Sequence, residues 1–283
     1  MTLQFTKMHG LGNDFIVLDG VRQPIDLTPK IIQKLSSRQT GIGFDQCLIV
    51  EPSTQPGIDF FYRIFNANGE SVGQCGNGAR CIARFIHHYG LSTARTLSVA
   101  TTSTQLSLQL NADETVTVNM GVPRFEPAHI PLLADSQAPQ YKLHLPDGTQ
   151  QSVHALSLGN PHAILRVDHL DSAPVSTLGK AICEHPLFPE QVNVGFFARE
   201  APNRMHLRVY ERGCGETQAC GSGAVAAAVI GCLYYGLNSP LEVCLPGGKL
   251  TVDWPDKQGP VFLTGPATFV YEGKLFPDGD FQV

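Results

Sequence analysis

Cys75 and Cys220 are the residues of this chain best placed to do chemistry. Each leads the same short motif, Cys75-Gly76-Asn77-Gly78-Ala79 and Cys220-Gly221-Ser222-Gly223-Ala224. A helix-like run follows each, residues 79–89 and 224–235, and each run stops at Gly-Leu. A thiol just ahead of a helix start meets unpaired backbone N–H groups and the positive end of the dipole, and both favour thiolate. A helix start worth about 1 kcal/mol would bring a cysteine from about 8.5 to roughly 7.8, leaving about a third ionised near pH 7.5. Two such groups suit removal of a proton from one face of a carbon and delivery of a proton to the other, one as thiolate and one as thiol. A carbon acid beside a carboxylate is weak, so aimed donors in a dry site are needed as well. The backbone N–H groups of Gly76, Asn77, Gly221 and Ser222 are candidates for gripping such a carboxylate.

The elements that position these motifs repeat. In the first half, strand-like stretches at 3–5 and 14–18 flank the turn-like Gly10-Leu11-Gly12-Asn13, and 28–37 is helical with Pro29 in its first turn. Strands follow at 46–50 and 60–65, then the Cys75 helix, then strands near 97–100, 105–110 and 116–119. Residues 121–127 have linker composition. Beyond them Pro146-Asp147-Gly148 marks a hairpin, and Leu158-Gly159-Asn160 repeats Leu11-Gly12-Asn13. Asn13 to Gln46 and Asn160 to Asn193 are both 33 positions apart, and Asn66 to Cys75 and Glu211 to Cys220 are both nine. The offset is 147 early in the repeat and 145 later. Several matches in one order make a duplicated domain the better account than chance recurrence of turn residues.

The expected fold is therefore α+β, with two pseudo-symmetric domains, each a mainly antiparallel sheet wrapped around a central helix. The first repeat is expected over 1–124, completed by the tail 268–283, and the second over 125–267. A pseudo-twofold would aim both helix starts into an interdomain cleft, the usual place for a small ligand. The uncharged Asn13, Gln46, Asn66, Asn160 and Asn193 suit a small zwitterion, and Arg212 suits a second carboxylate. The halves differ where Phe15 and Asn66 of the first become His162 and Glu211 of the second. Those two titratable groups could tune the thiols or bind an ammonium.

Composition narrows the partners. The chain has 283 residues, 42% hydrophobic and 16% charged, with a formal charge of -5. Without a basic run, nucleic-acid binding is not expected. The longest apolar run, 224–235, is too short and glycine-interrupted for a membrane span, and the first residues do not resemble a signal peptide. Eight cysteines in a chain of this kind fit reduced thiols and a cytoplasmic location better than a disulfide framework. No Cys-x-x-Cys pair is present, so a metal is not expected. Cys47, Cys81, Cys183, Cys232 and Cys244 sit among apolar neighbours and read as core residues.

Taken together these residues resemble the diaminopimelate epimerase family. The likeness rests on residues 8–15, 41–46, Phe65-Asn66-Ala67 and Gly73-Gln74-Cys75-Gly76-Asn77-Gly78-Ala79-Arg80-Cys81 in the first half. In the second it rests on Gly159-Asn160-Pro161-His162, Val192-Asn193-Val194, Glu211-Arg212-Gly213 and 215–224. It implies a cofactor-independent isomerase that interconverts LL- and meso-2,6-diaminopimelate in lysine and peptidoglycan precursor synthesis, as a cytoplasmic homodimer. By that resemblance Cys75 and Cys220 are the acid/base pair, and His162 and Glu211 adjust their protonation. Asn13, Gln46, Asn66, Gly76, Asn77, Asn160, Asn193, Glu211, Arg212, Gly221 and Ser222 would bind substrate. One departure is local: the family tends to have Asp-Gly-Ser after the Asn-Ala pair, and this chain has Asn68-Gly69-Glu70-Ser71. The competing readings are a racemase of another amino acid such as proline or hydroxyproline, and a switch in which Cys75 and Cys220 form a regulatory disulfide. A metal or amino-acid binding module lacks suitable ligand spacing.

Overall fold

The computed structural model describes residues 2–73 and 75–276. The chain divides into two compact units, Met1–Val118 with Gly265–Val283, and Asn119–Thr264. The first begins with the hairpin β1 (Leu3–Gly10) and β2 (Asn13–Asp19), followed by α1 (Pro29–Ser36), β3 (Gln46–Pro52), β4 (Phe60–Asn66) and β5 (Ser71–Val72). Helix α2 (Gly76–His88) and strands β6 (Thr96–Ala100), β7 (Gln105–Leu110) and β8 (Val116–Asn119) complete the repeat. The second unit holds β9 (Tyr141–His144), β10 (Gln150–Ser157), β11 (Pro161–Arg166), α3 (Val175–Cys183), β12 (Asn193–Ala201), β13 (Arg204–Glu211) and β14 (Gly215–Thr217). Helix α4 (Gly221–Tyr234) and strands β15 (Leu241–Leu245), β16 (Gly248–Asp253) and β17 (Phe262–Gly265) follow, and β18 (Thr268–Leu275) returns to the first unit.

Strand pairing shows the duplication directly. β1–β2 and β10–β11 are antiparallel, β2–β3 and β11–β12 parallel, β3–β4 and β12–β13 antiparallel. After each hairpin to β5 or β14, a parallel pair joins β4 to β6 and β13 to β15. Antiparallel neighbours then run out to β8 and β17. Each first strand has one further antiparallel neighbour: β18 beside β1, and β9 beside β10. Thus the segment preceding the second repeat fills the place that the C-terminal strand fills in the first. The part of the tail at 277–283 lies outside the described residues.

Each sheet has two covered faces. Alternation along β2 and β3 sends Ile16, Leu18, Cys47 and Ile49 to a cluster with Ile32 and Leu35 of α1. The opposite face meets α2, where Leu48 lies against Gly78. In the second unit α3 packs through Ile182 and Cys183 with Phe188, Val194 and Phe196. α4, apolar on all sides, lies inside, against β10 to β13, β15 and β16. Helix α1 starts as its sequence dictates, with Thr28 Oγ1 accepting from Ile31 N and Pro29 in the first turn. The long helices end where Gly90 and Gly236 take φ of +63°. Both begin three residues earlier than periodicity indicates, because the cysteines themselves are the N-caps. Sequence periodicity does not mark α3, whose Val175 to Cys183 mixes small and apolar residues without a side-chain cap. Among the described residues no helix is long and apolar enough to cross a membrane.

Candidate active site

In the first unit the register places three amides at one end of the sheet. Phe15 pairs with Gln46 and Gln46 with Asn66, so the starts of β2 and β3 and the end of β4 coincide. Gln46 Nε2 donates to Asn66 Oδ1 at 2.9 Å, while Gln46 Oε1 is buried without a partner among the described residues. Cys75 is half-buried at the start of α2, and Gly78 N–H donates to its Sγ at 3.4 Å. The approach depends on the second glycine of the motif: a Cβ at Gly78 would lie 3.3 Å from both methyls of Leu48. Asn13 Oδ1 lies 3.9 Å from the Cys75 thiol and 3.3 Å from Asn77 Nδ2, and Asn13 Nδ2 donates to Asp45 Oδ2 at 2.9 Å.

Behind the amides lies a charge cluster to which the sequence motifs assign no role. Arg38 forks onto Asp14 at 2.9 and 2.8 Å and also reaches Asp45, while Lys7 meets Asp14 at 2.6 Å. Burial opposes ionisation of Asp14, but the bonds from Arg38 and Lys7 outweigh it and hold the carboxyl well below the usual range. Asp14 and Asp45 lie inside the matched motifs, directly beside Asn13 and Gln46, and that adjacency is the signal the sequence offers. Arg80 is a second residue that sequence reasoning misses. It is fully buried on α2 and donates from Nη2 to Asn77 Oδ1 at 3.0 Å. The departure loop is a tight turn in which Gly69 takes φ of +85° and packs on Pro29, with Asn68 Oδ1 accepting from Glu70 N.

The second unit repeats the frame with different chemistry. His162 pairs with Asn193 in the parallel β11–β12 register, and Glu211 ends β13 where Asn66 ends β4. Asn160 Nδ2 donates to Ser222 Oγ at 3.1 Å, and its Oδ1 lies 3.1 Å from His162 Nε2. His162 is fully buried, and its Nδ1 has no partner among the described residues. Burial, with the Arg212 charge adding to it, brings this imidazole down to about 3, so it is neutral with Nε2 as donor and Nδ1 as an open acceptor. Asn193 is committed internally: Nδ2 donates to the Pro161 carbonyl and Oδ1 accepts from Arg212 N at 3.0 Å. The half-buried Arg212 side chain donates to the Glu190 carbonyl at 3.0 Å.

Cys220 corrects one expectation. A helix start alone favours thiolate, yet this thiol is raised well above its ordinary value, by burial first and then by the charge of Glu211 and a hydrogen bond to it. The Gly223 N–H and Ser222 hydroxyl pull the other way and do not prevail. The physical reason is exposure: Cys220 is only 4% accessible, and a carboxylate stands beside it. Thr217 Oγ1 donates to Glu211 Oε1 at 2.6 Å and fixes that carboxylate, another contact that motif reading passes over. The remaining buried thiols behave as core residues, with burial pushing both Cys47 and Cys81 up to about 12. A cavity of about 660 Å³ in the first unit, lined by Thr6, Tyr89 and Glu272 among others, includes none of the candidate thiols or amides.

Comparison with known proteins places this arrangement. A family model described as diaminopimelate epimerase matches residues 5–126 and 154–270, stretches that hold both cysteine motifs. A diaminopimelate epimerase of Legionella pneumophila (strain Paris) is 61% identical over 275 residues, covering 97% of this chain and 99% of the relative. One of Ectopseudomonas mendocina (strain ymp) is 52% identical over the same shares. Among solved structures, a hydroxyproline epimerase from Agrobacterium vitis shares the fold at a TM-score of 0.68 and 12% identity, over 97% of this chain and 92% of that one. A PhzF-family protein of Bacillus anthracis does so at 0.66 and 17%, over 98% and 99%. The shared fold does not separate one amino-acid substrate from another, but identity at this level over nearly the whole length does separate families, and the chain belongs to the diaminopimelate epimerase family.

Proposed function

We propose that this chain is a two-thiol epimerase that interconverts LL- and meso-2,6-diaminopimelate without a cofactor, in lysine and peptidoglycan precursor synthesis. The observation that carries the reading is inequivalence between two matching cysteines. Cys220 is held as a thiol by burial and by Glu211, whereas Cys75 is only half-buried and has the Arg80 charge nearby. In one direction the Cys75 thiolate takes the α-proton while the Cys220 thiol delivers its own to the opposite face of the carbon. Cys75 is then thiol and Cys220 thiolate, which is the starting state for the reverse direction. Glu211 sets the protonation of Cys220, and neutral His162 offers Nδ1 as a proton acceptor in the same half.

Binding in this reading uses the helix starts for the reacting carboxylate, through the N–H groups of Gly76, Asn77, Gly221 and Ser222. Asn13, Gln46, Asn66, Asn160 and Asn193 supply uncharged contacts, and Glu211 and Arg212 meet the charged ends of the substrate. The test is isotope uptake: LL-diaminopimelate in D2O gains one deuterium at the epimerised α-carbon, and Cys75→Ala and Cys220→Ala each abolish it. Full activity in either variant refutes the two-thiol step, and faster exchange into proline refutes the substrate. The protein is further proposed to be a cytoplasmic homodimer, supported by exposed Val270 and Tyr271 on β18 and Phe276 just after it. Tyr271→Asp then yields a monomer in sedimentation, and an unchanged mass overturns that assignment.

A further inference from the structure

We propose that Arg80 is a positioning residue that fixes which end of the Asn77 and Asn13 amides is turned toward Cys75. An asparagine side chain can be rotated by half a turn, exchanging its carbonyl for its NH2, and its neighbours decide between the two. Guanidinium groups only donate, so the 3.0 Å contact from Arg80 Nη2 requires Asn77 Oδ1. Asn77 Nδ2 is therefore turned to Asn13, which meets it with Oδ1 at 3.3 Å. The Asn13 NH2 then points to Asp45 Oδ2 at 2.9 Å, an acceptor-only carboxylate. A donor-only group at one end and an acceptor-only group at the other leave the two amides a single orientation. In that orientation the Cys75 thiol, 3.9 Å from Asn13 Oδ1, meets a carbonyl oxygen and not an NH2.

The surroundings of Arg80 are built for this task. It is fully buried, and among the described residues no carboxylate forms an ion pair with it. Its other donors go to main-chain carbonyls, Nε to Pro266 at 3.1 Å and Nη1 to Gly76 at 3.5 Å. Burying a guanidinium in this way is costly, so a surface-stabilising role does not account for it. Room for it comes from Gly10, where a Cβ would lie 3.2 Å from Arg80 Nη2 and 3.3 Å from Asn77 Cβ. The second repeat supplies the contrast. Val225 stands at the matching position, and the Asn160 amide is wired in the reverse sense: its NH2 donates to the helix residue Ser222, and its oxygen meets His162. The two matched asparagines thus present opposite ends toward their helix starts, and only the first is tied to a donor-only group, Arg80.

The inference rests on the epimerase reading for its kinetic arm but not for its spectroscopic one. With LL-diaminopimelate, Arg80→Met lowers kcat about 30-fold, the loss of roughly one charged hydrogen bond, and leaves KM within about threefold. Arg80→Lys, which keeps a donor toward Asn77, recovers most of that loss. Asp45→Asn, whose side chain can either donate or accept, lowers kcat in the parent and adds nothing on top of Arg80→Met, although Arg80 and Asp45 are joined only through the two amides. In protein labelled with 15N-asparagine, Arg80→Met shifts the side-chain amide signal of Asn13, as Asp45→Asn does, with no substrate present. Multiplying losses, a change confined to KM, or an unmoved Asn13 signal overturns the proposal. If Arg80→Met does not fold, Arg80→Gln, which can turn either end of its amide to Asn77, is carried through the same cycle and judged by the same two criteria. A parent protein inactive on diaminopimelate refutes the functional reading and leaves the labelled-amide result standing.

Discussion

His162→Gln tests the electrostatics of the second half quantitatively. A histidine takes up its proton near 6.5 when unfolded, and burial, reinforced by Arg212, brings the folded group down to about 3. The fold therefore binds fewer protons than the unfolded chain between these values, and stability falls as pH drops through that window. At pH 7.5 the cost is negligible. At pH 5 the unfolded imidazole is almost fully protonated and the folded one is not, which favours the unfolded chain by about 2 kcal/mol. Glutamine has no such titration and can still donate to Asn160 Oδ1. The single tryptophan, Trp254, is buried in the second unit and reports its unfolding. Urea titrations followed by Trp254 fluorescence at pH 7.5 and 5.0 should show the parent losing about 2 kcal/mol more than His162→Gln. Subtracting the variant removes groups common to both proteins, including His154, which burial also lowers. Equal losses within about 0.5 kcal/mol would refute a neutral, buried His162, and with it the assignment of Nδ1 as a proton acceptor.

Two other expectations concern the thiols. Iodoacetamide at pH 7.5 should modify the half-buried Cys75 well before Cys220, and Glu211→Gln should raise the Cys220 rate; peptide mass spectrometry that finds equal rates in the parent contradicts the inequivalence of the two thiols. Gly223→Ala should lower kcat at least tenfold, because its Cβ would sit 3.3 Å from Cys220 Sγ and 3.2 Å from Val209 Cγ2. Gly78→Ala presses on the movable ends of the Leu48 side chain and meets Cys75 Cβ only at an ordinary 3.5 Å, so it should be milder, and a reversed order in the steady-state rates refutes the packing argument.

The frame was legible in the sequence because it depends on spacing. A duplicated strand order fixes the interval from Asn13 to Gln46 and from Asn160 to Asn193, and the register shows why: those residues stand at the starts of neighbouring strands in each unit, Asn160 just before β11. The substitutions of Phe15 by His162 and of Asn66 by Glu211 were visible for the same reason. What was not legible depends on three-dimensional surroundings. Helix-start arithmetic favours thiolate at both cysteines, but desolvation and the nearness of Glu211 reverse it at Cys220, and neither is a property of the local motif. Arg80 sits on an otherwise amphipathic-looking helix, where an arginine is ordinarily a solvated surface residue; that it is fully buried follows only from the packing around α2. Asp14 and Asp45 could be seen beside the amides, but their pairing with Lys7 and Arg38 joins positions up to 24 apart.

Duplication by itself gives two thiols at matched positions, and equal thiols are poorly suited to the reaction proposed for them, in which one gives a proton while the other takes one. The chain resolves this at matched positions while leaving the frame alone. Beside Cys75 stands a buried cation, Arg80, where the second repeat has Val225; beside Cys220 stands an anion, Glu211, where the first repeat has Asn66. A cation favours an anionic neighbour and an anion favours a neutral one, so both substitutions push in the same sense. The amide wiring differs as well but acts in the opposite sense: the Arg80 chain turns an oxygen toward Cys75, which accepts from S–H and so favours the thiol, while the Asn160 NH2 meets Ser222. On the two-thiol reading, which cysteine rests ionised is therefore set by which half carries the charge, not by the repeated Cys-Gly-x-Gly motif.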